Sequence, residues 1–243
     1  MKTLRHLILL PAIACGAVPL LAQFENRDYV PMSYIETEQP VYPSVATNLG
    51  LVSGEARICV QIDDAGLLTD SLALAYSHPA FYESAVTALK KWQFKPAIIH
   101  GFSRSATAVL DFNFRSQGVV VNLTTDTMAE IIHFRVAPNS MSYRVCTLSE
   151  LDRIPVPTKI VKPYYTPEQA RRSHVSRVNV QFYIDEAGHV RLAAVSRQTD
   201  EADEELCAAA VTAVEQWQFE PPVSKGRPVL VLAQQDFDFR AAH

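Results

Sequence analysis

Glycine is scarce in this chain. Its 8 glycines among 243 residues are all spread singly, so no glycine-rich loop is available to cradle a phosphate. Cysteine is nearly as rare, with 4 in the chain at spacings that suit no zinc or iron–sulfur site. Histidines 78, 100, 133, 174, 189 and 243 are scattered without metal-ligand spacing, so no metal and no cofactor is implied. Positive charge is not in excess either. The formal net charge is −4, and no basic field exists to attract nucleic acid. No uninterrupted apolar run approaches the roughly 20 residues that span a bilayer. What is present is an apolar fraction of 48% and a charged fraction of 20%, the composition of an ordinary globular protein.

The first residues read as an export signal. Lys2, Arg5 and His6 precede an apolar stretch from Leu7 to Leu21 that Pro11 and Pro19 interrupt, and small residues follow around Ala22. This pattern predicts a signal peptide over residues 1–22, cleaved after Ala22. Removing it takes Lys2 and Arg5 and leaves 20 basic residues against 26 acidic ones, or −6. A retained inner-membrane anchor and a lipidated Cys15 are the alternatives. Cys59, Cys146 and Cys207 remain after cleavage, as small apolar fillers or with one bridge among them.

Against this plain background, one phrase occurs twice. Ile62-Asp63-Asp64-Ala65-Gly66, Val86-Thr87-Ala88, Trp92-Gln93-Phe94-Lys95-Pro96, Gly101 and Asp111-Phe112-Asn113-Phe114-Arg115 form the first copy. Ile184-Asp185-Glu186-Ala187-Gly188, Val211-Thr212-Ala213, Trp217-Gln218-Phe219-Glu220-Pro221, Gly226 and Asp236-Phe237-Asp238-Phe239-Arg240 form the second. The offset is 122 at the Asp-x-Ala-Gly turn and 125 from Val86 onward. A duplicated domain follows.

Each copy predicts the order strand–strand–helix–strand. Ala56, Ile58, Val60 and Ile62 alternate with polar neighbours, as do Val178, Val180, Phe182 and Ile184, giving a strand with one buried face. Asp-x-Ala-Gly suits a tight hairpin closed by a left-handed glycine, a position where asparagine would be tolerated better than valine. The returning strands, near Leu67–Tyr76 and His189–Ser196, alternate less cleanly, as a bulge would cause. Phe81, Ala85, Ala88, Leu89 and Trp92 then make one helical stripe, and Leu206, Ala210, Ala213, Val214 and Trp217 repeat it. Pro96 and Pro221 end each helix region, and Phe112/Phe114 and Phe237/Phe239 face inward from the last strand. The fold class is α+β: two tandem ββαβ domains, each a helix on a three-stranded sheet, with Trp92, Trp217 and these four phenylalanines as core.

These residues also resemble the C-terminal domain of TonB energy transducers, a family of periplasmic proteins that grip a short peptide of outer-membrane receptors. The resemblance rests on Tyr42-Pro43 ahead of the strand, Lys90-Lys91-Trp92-Gln93-Phe94-Lys95-Pro96-Ala97 closing the helix, and Phe-x-Phe at the end. It covers residues 36–115 and 150–240. Val119–Leu123, Glu130–Val136 and Met141–Leu148 make the intervening 116–149 a strand-rich connector folded against one or both domains. No long proline-rich spacer is present, since residues 23–40 hold only Pro31 and Pro40, so force transmission does not carry over with the domain.

The resemblance implies a peptide partner paired along the last strand, beside Gln39-Pro40-Val41-Tyr42-Pro43. The expected accepting edge of the first domain is Ala106–Phe114, with Gln39, Tyr42, Thr107, Val109 and Asn113 as peptide-binding residues; Tyr42 reads equally as a core-edge aromatic. The second domain offers Val231–Phe239, with Lys162 in place of the glutamine and a weaker or different preference. Sheet edges need only unpaired backbone groups to recruit an extended segment. They would serve self-association as well, and a retained anchor would make the chain a true transducer. Catalysis has no support: Asp63/Asp64 and Asp185/Glu186 sit in turns, and no nucleophile has a base near it. The expected reading is a non-enzymatic, exported binding protein of the Gram-negative periplasm. Mass spectrometry of the mature protein should find its N-terminus at Gln23; an intact Met1 would make it an anchored transducer.

Overall fold

The computed structural model describes residues 29–99, 101–116, 118–124, 141–172, 177–196 and 204–239. The signal segment and Glu130–Val136 lie outside the described residues.

The chain opens with two short strands, β1 (Tyr29–Val30) and β2 (Ser33–Glu36), and a short helix α1 (Ser44–Asn48) started by Pro43. The first repeat follows as β3 (Ser53–Ile62), β4 (Leu68–Tyr76) and helix α2 (Pro79–Leu89). Pro79 starts α2 without a donor to lose, and the His78 ring accepts from the Ala80 N–H. Three short strands then lead back, β5 (Gln93–Lys95), β6 (Ala97–Ile99) and β7 (Phe102–Arg104), before the long β8 (Ala106–Arg115). The connector supplies β9 (Gly118–Thr124) and β10 (Tyr143–Arg144). The second repeat is led in by β11 (Pro157–Lys159) and α3 (Pro167–Arg172). It continues as β12 (Arg177–Ile184), β13 (Val190–Val195) and helix α4 (Glu204–Val214). Short strands β14 (Gln218–Phe219), β15 (Val223–Ser224) and β16 (Arg227–Pro228) precede the closing β17 (Val231–Asp238).

Both hairpin turns form as the sequence implies. The Asp63 carboxylate accepts from the Ala65 and Leu67 N–H groups, and Asp185 does the same for Ala187 and His189. Gly66 and Gly188 have φ of 85° and 88°. One expectation is corrected here. A Cβ at Gly66 would lie 2.5 Å from the Phe94 carbonyl oxygen, and one at Gly188 would lie 2.0 Å from that of Phe219. Backbone crowding therefore bars asparagine as firmly as valine, and the left-handed φ is only half of the reason for glycine.

The helix stripes are buried as read. Phe81, Ala85, Leu89 and Trp92 lie against Ile58, Val60, Ile62, Leu110, Phe112 and Phe114, and Ala88 is buried beside them in sequence. Leu206, Ala210, Val214 and Trp217 lie likewise against Val178, Val180, Phe182 and Ile184, and Ala213 is buried as well. The sheets differ from the expected pair. The second has three strands in the order β13-β12-β17, but the first has five, β10-β4-β3-β8-β9. The connector is the source of both additions: β9 joins β8 and β10 joins β4.

A third core lies between the domains. Cys59, Leu72, Leu74 and Val109 on the helix-free face of the first sheet meet Tyr183, Leu192 and Leu230 from the second domain. The two sheets thus pack back to back, with a helix on each outer side. Arg191 grips Asp70 with both Nε and Nη2, the Nε contact at 3.0 Å, and the Tyr143 hydroxyl donates to Glu186 at 2.7 Å. These hydrogen bonds to Asp70 raise the already high Arg191 pKa. Among the described residues no disulfide forms, and Cys59 and Cys146 are free thiols. The shared core makes separate unfolding of the two repeats, the simplest expectation from duplication, physically implausible. Trp92→Ala and Trp217→Ala should each cost about 3–5 kcal/mol as large-to-small core changes. Each should leave a single urea transition with its midpoint shifted, read by far-UV circular dichroism; two separated transitions would mean that the middle core does not couple the domains.

Candidate functional site: the edges of the two last strands

The repeat gives each domain the same groove, bounded by its last strand and by the segment before its first helix-packed strand. In each, the conserved geometry is set by tryptophan. Trp92 Nε1–H donates to the Glu38 carbonyl at 2.8 Å, and Trp217 Nε1–H donates to the Val161 carbonyl at 2.7 Å. Buried indole N–H groups seek such a partner, and this one pins the lead-in segment across the helix end. Gln39 and Lys162 each follow the pinned residue, so they occupy equivalent places.

The first groove is filled. β9 pairs with β8 from Val109↔Thr124 to Arg115↔Gly118. Its alternate residues Val119, Val121 and Leu123 pack onto the first core opposite Phe114, Phe112 and Leu110. Val119 and Val121 line a small cavity of about 180 Å³ with Tyr34, Thr37, Glu38, Gln39 and Trp92. β8 is therefore not an edge strand over Val109–Arg115, which corrects the expected accepting edge Ala106–Phe114. The chain's own connector lies where the partner peptide was expected.

The individual residues follow from this. Gln39 is exposed and borders β9. Tyr42 is half-buried, its hydroxyl donating to the Leu51 carbonyl at 2.7 Å and its ring edge-to-face with Phe81, so its observed contacts are those of a core-edge aromatic. Thr107 is half-buried and pairs with Gln61, beyond the last β9 partner. Val109 is 1% exposed within the middle core, and Asn113 lies opposite Val120. Phe112, Phe114, Phe239, Trp92 and Trp217 are buried, but Phe237 is only half-buried.

That difference between Phe112 and Phe237 marks the second groove as open. β17 pairs with β12 along its full length on one side. On the other side its start is held by Cys146: the Cys146 N–H donates to Leu230 at 2.8 Å, and the Leu232 N–H donates back to Cys146. Because Leu232 points away from β12, strand alternation also turns the N–H and C=O of Gln234, Asp236 and Asp238 outward. Among the described residues no strand pairs with them, though the Asp236 carbonyl accepts from the Gln235 side-chain amide at 2.7 Å. The floor of the groove is Trp217 and Phe237, 5.8 Å apart at their ring centres. The pinned segment bonded to Trp217 exposes Ile160 and Lys162. On the opposite face of β17, Asp236 accepts from Asn179 at 2.7 Å and Asp238 from Arg177 at 3.2 Å.

No group of histidine, cysteine and acidic residues among the described residues could hold a metal ion, and no helix there is long and apolar enough to cross a membrane. What the two domains share is a fold built around a strand edge, the form of a protein–protein interaction module. The profile of the family described as Gram-negative bacterial TonB protein C-terminal matches residues 38–116 and 161–241, and the chain belongs to that family, whose domains are non-catalytic. Comparison with curated proteins gives no match.

The seal on the first groove can be tested directly. Val121→Asp places a carboxylate against Phe112 and should destabilise by about 1–3 kcal/mol, while Val120→Asp, on the exposed side of the same strand, should change stability by less than about 0.5 kcal/mol. Hydrogen exchange should show early loss of protection over Gly118–Thr124 in the first variant alone.

Proposed function

We propose that this chain is an exported binding protein of the Gram-negative periplasm whose second domain captures an extended peptide of a partner protein, an outer-membrane receptor segment, by strand addition along β17. The observation that carries the reading is the unpaired outer edge at Gln234, Asp236 and Asp238 beside a half-uncovered Phe237. An incoming strand would satisfy three outward N–H groups and their carbonyls and would bury the exposed part of the Phe237 ring, the two contributions on which strand addition runs. The first domain serves as the scaffold: its equivalent edge is occupied, and its helix-free face holds the second sheet from behind. The leader-like residues 1–22 support export, and the family supports the periplasm.

The rival reading is self-association through the same edge. Receptor-derived extended peptides should be titrated into the full mature chain and amide shifts followed by NMR. The expected result is movement of Gln234, Asp236 and Asp238, with β8 silent, from a protein that is monomeric before peptide is added. Gln234→Pro, which removes an outward N–H without touching the bonds to β12, should weaken binding at least tenfold. Shifts confined to α4 or to β8 would overturn the edge assignment.

A further inference from the structure

The two grooves are copies, and one of them is occupied. Its occupant therefore describes the kind of segment that the other is shaped to receive. We infer that the second domain's ligand is a partner-protein segment running antiparallel to β17, with aliphatic or β-branched side chains at two alternate positions opposite Phe239 and Phe237. This rests on β17 being the accepting edge, and adds to it the direction, register and side-chain pattern of the ligand.

The register comes from β9. Val119 lies opposite Phe114, Val121 opposite Phe112 and Leu123 opposite Leu110, all on the helix side of the sheet. The constant offset carries these three places to Phe239, Phe237 and Gln235. The first two keep their aromatic partner, so the ligand's two anchors keep their aliphatic character. At the third, leucine has become glutamine, and Gln235 is exposed with its amide turned to the Asp236 carbonyl. A polar side chain suits that place, where domain one takes leucine.

The intervening positions face the opposite side. There β9 sets Val120 opposite Asn113 and Asn122 opposite Asp111. The second domain sets Asp238 and Asp236 at the equivalent places, both exposed at the strand edge and each with one oxygen already accepting, from Arg177 and Asn179 respectively. Cross-strand pairs of opposite charge or of carboxylate with amide are favourable, and like charges are not. The ligand's intervening residues are thus basic or amide-bearing.

A second copy of this chain does not supply the segment. Its best match would be β9, whose inward side chains are already committed to its own core over seven paired positions. Releasing them would uncover Phe112 and Trp92 to cover Phe237. A partner with an unstructured tail bears no such cost.

Three synthetic peptides separate these statements, each added to the full mature chain with amide shifts recorded. The first is the β9 segment with a lysine in each intervening place and threonine in place of Leu123, Gly-Val-Lys-Val-Lys-Thr-Thr. The second replaces both valines by serine, and the third keeps the valines and makes both intervening residues glutamate. The first should move Gln234, Asp236 and Asp238; the serine peptide should bind at least tenfold more weakly, and the glutamate peptide at least threefold more weakly. A nitroxide at the peptide's N-terminus should broaden Asp238 and Phe239, not Leu232, because the strand runs antiparallel. Equal affinity for the valine and serine peptides, or broadening at Leu232, overturns this inference while leaving β17 as the edge. Shifts on Gly118–Thr124 with β17 silent, or no shift from these or from receptor-derived peptides, overturn both. Dimerisation of the free chain through Gln234–Asp238 overturns the assignment to a separate partner.

Discussion

Everything distinctive about this molecule depends on the contact between two helix-free sheet faces. A single copy of the fold covers one side of its sheet with a helix and leaves the other side bare. Here Leu72, Leu74 and Val109 on one sheet, and Tyr183, Leu192 and Leu230 on or beside the other, close that side for both domains at once. Two small domains near the lower limit for an independent core gain a third, shared core. The Asp70–Arg191 pair fixes how the sheets meet, because each charge would be left half-buried and unmatched by a slip. The Tyr183 hydroxyl is fully buried there without a hydrogen-bond partner among the described residues, a cost that the contact carries.

From that contact follows the division of labour between the grooves. The connector runs from the end of β8 to the second domain, and its described parts pair with both sheets. It lays β9 along β8 and sets β10 on β4, where Tyr143 stacks on Tyr76 with ring centres 4.9 Å apart. Cys146 then bridges to the start of β17. The same segment that closes the first domain's edge thus holds only the beginning of the second domain's, and leaves Gln234 onward open. Duplicated domains need not be duplicated sites.

Much of this was legible before any coordinates. The two helix stripes, the turn aspartates and the inward phenylalanines all fall at fixed spacings, and local rules of periodicity and turn chemistry suffice to place them. Val119–Leu123 was also visible as a strand, since β-branched residues alternate there, but a strand does not announce its partner. The middle core was hidden for a different reason. Register shifts between Arg57 and Ile58, between Gln61 and Ile62, and between Gln181 and Tyr183 break the two-residue period that would have exposed a second apolar face. Leu192, with φ of 53°, sits on such an irregularity. Tyr42 shows the limit of resemblance: its place in the motif implied a ligand contact, whereas its bond to Leu51 and its packing on Phe81 account for it as structure.

Cys59 lies in the middle core with no exposure, and burial, helped by Asp70, pushes its thiol up to about 12. The reactive form of cysteine is the thiolate, so in the closed molecule this sulfur is both unreachable and protonated, and an oxidising compartment leaves it untouched. Any event that parts the sheets removes both protections together. The sulfur is thereby a built-in clock: the rate at which a thiol reagent consumes Cys59 counts the openings between the two domains, while the more accessible Cys146 and Cys207 keep a separate time.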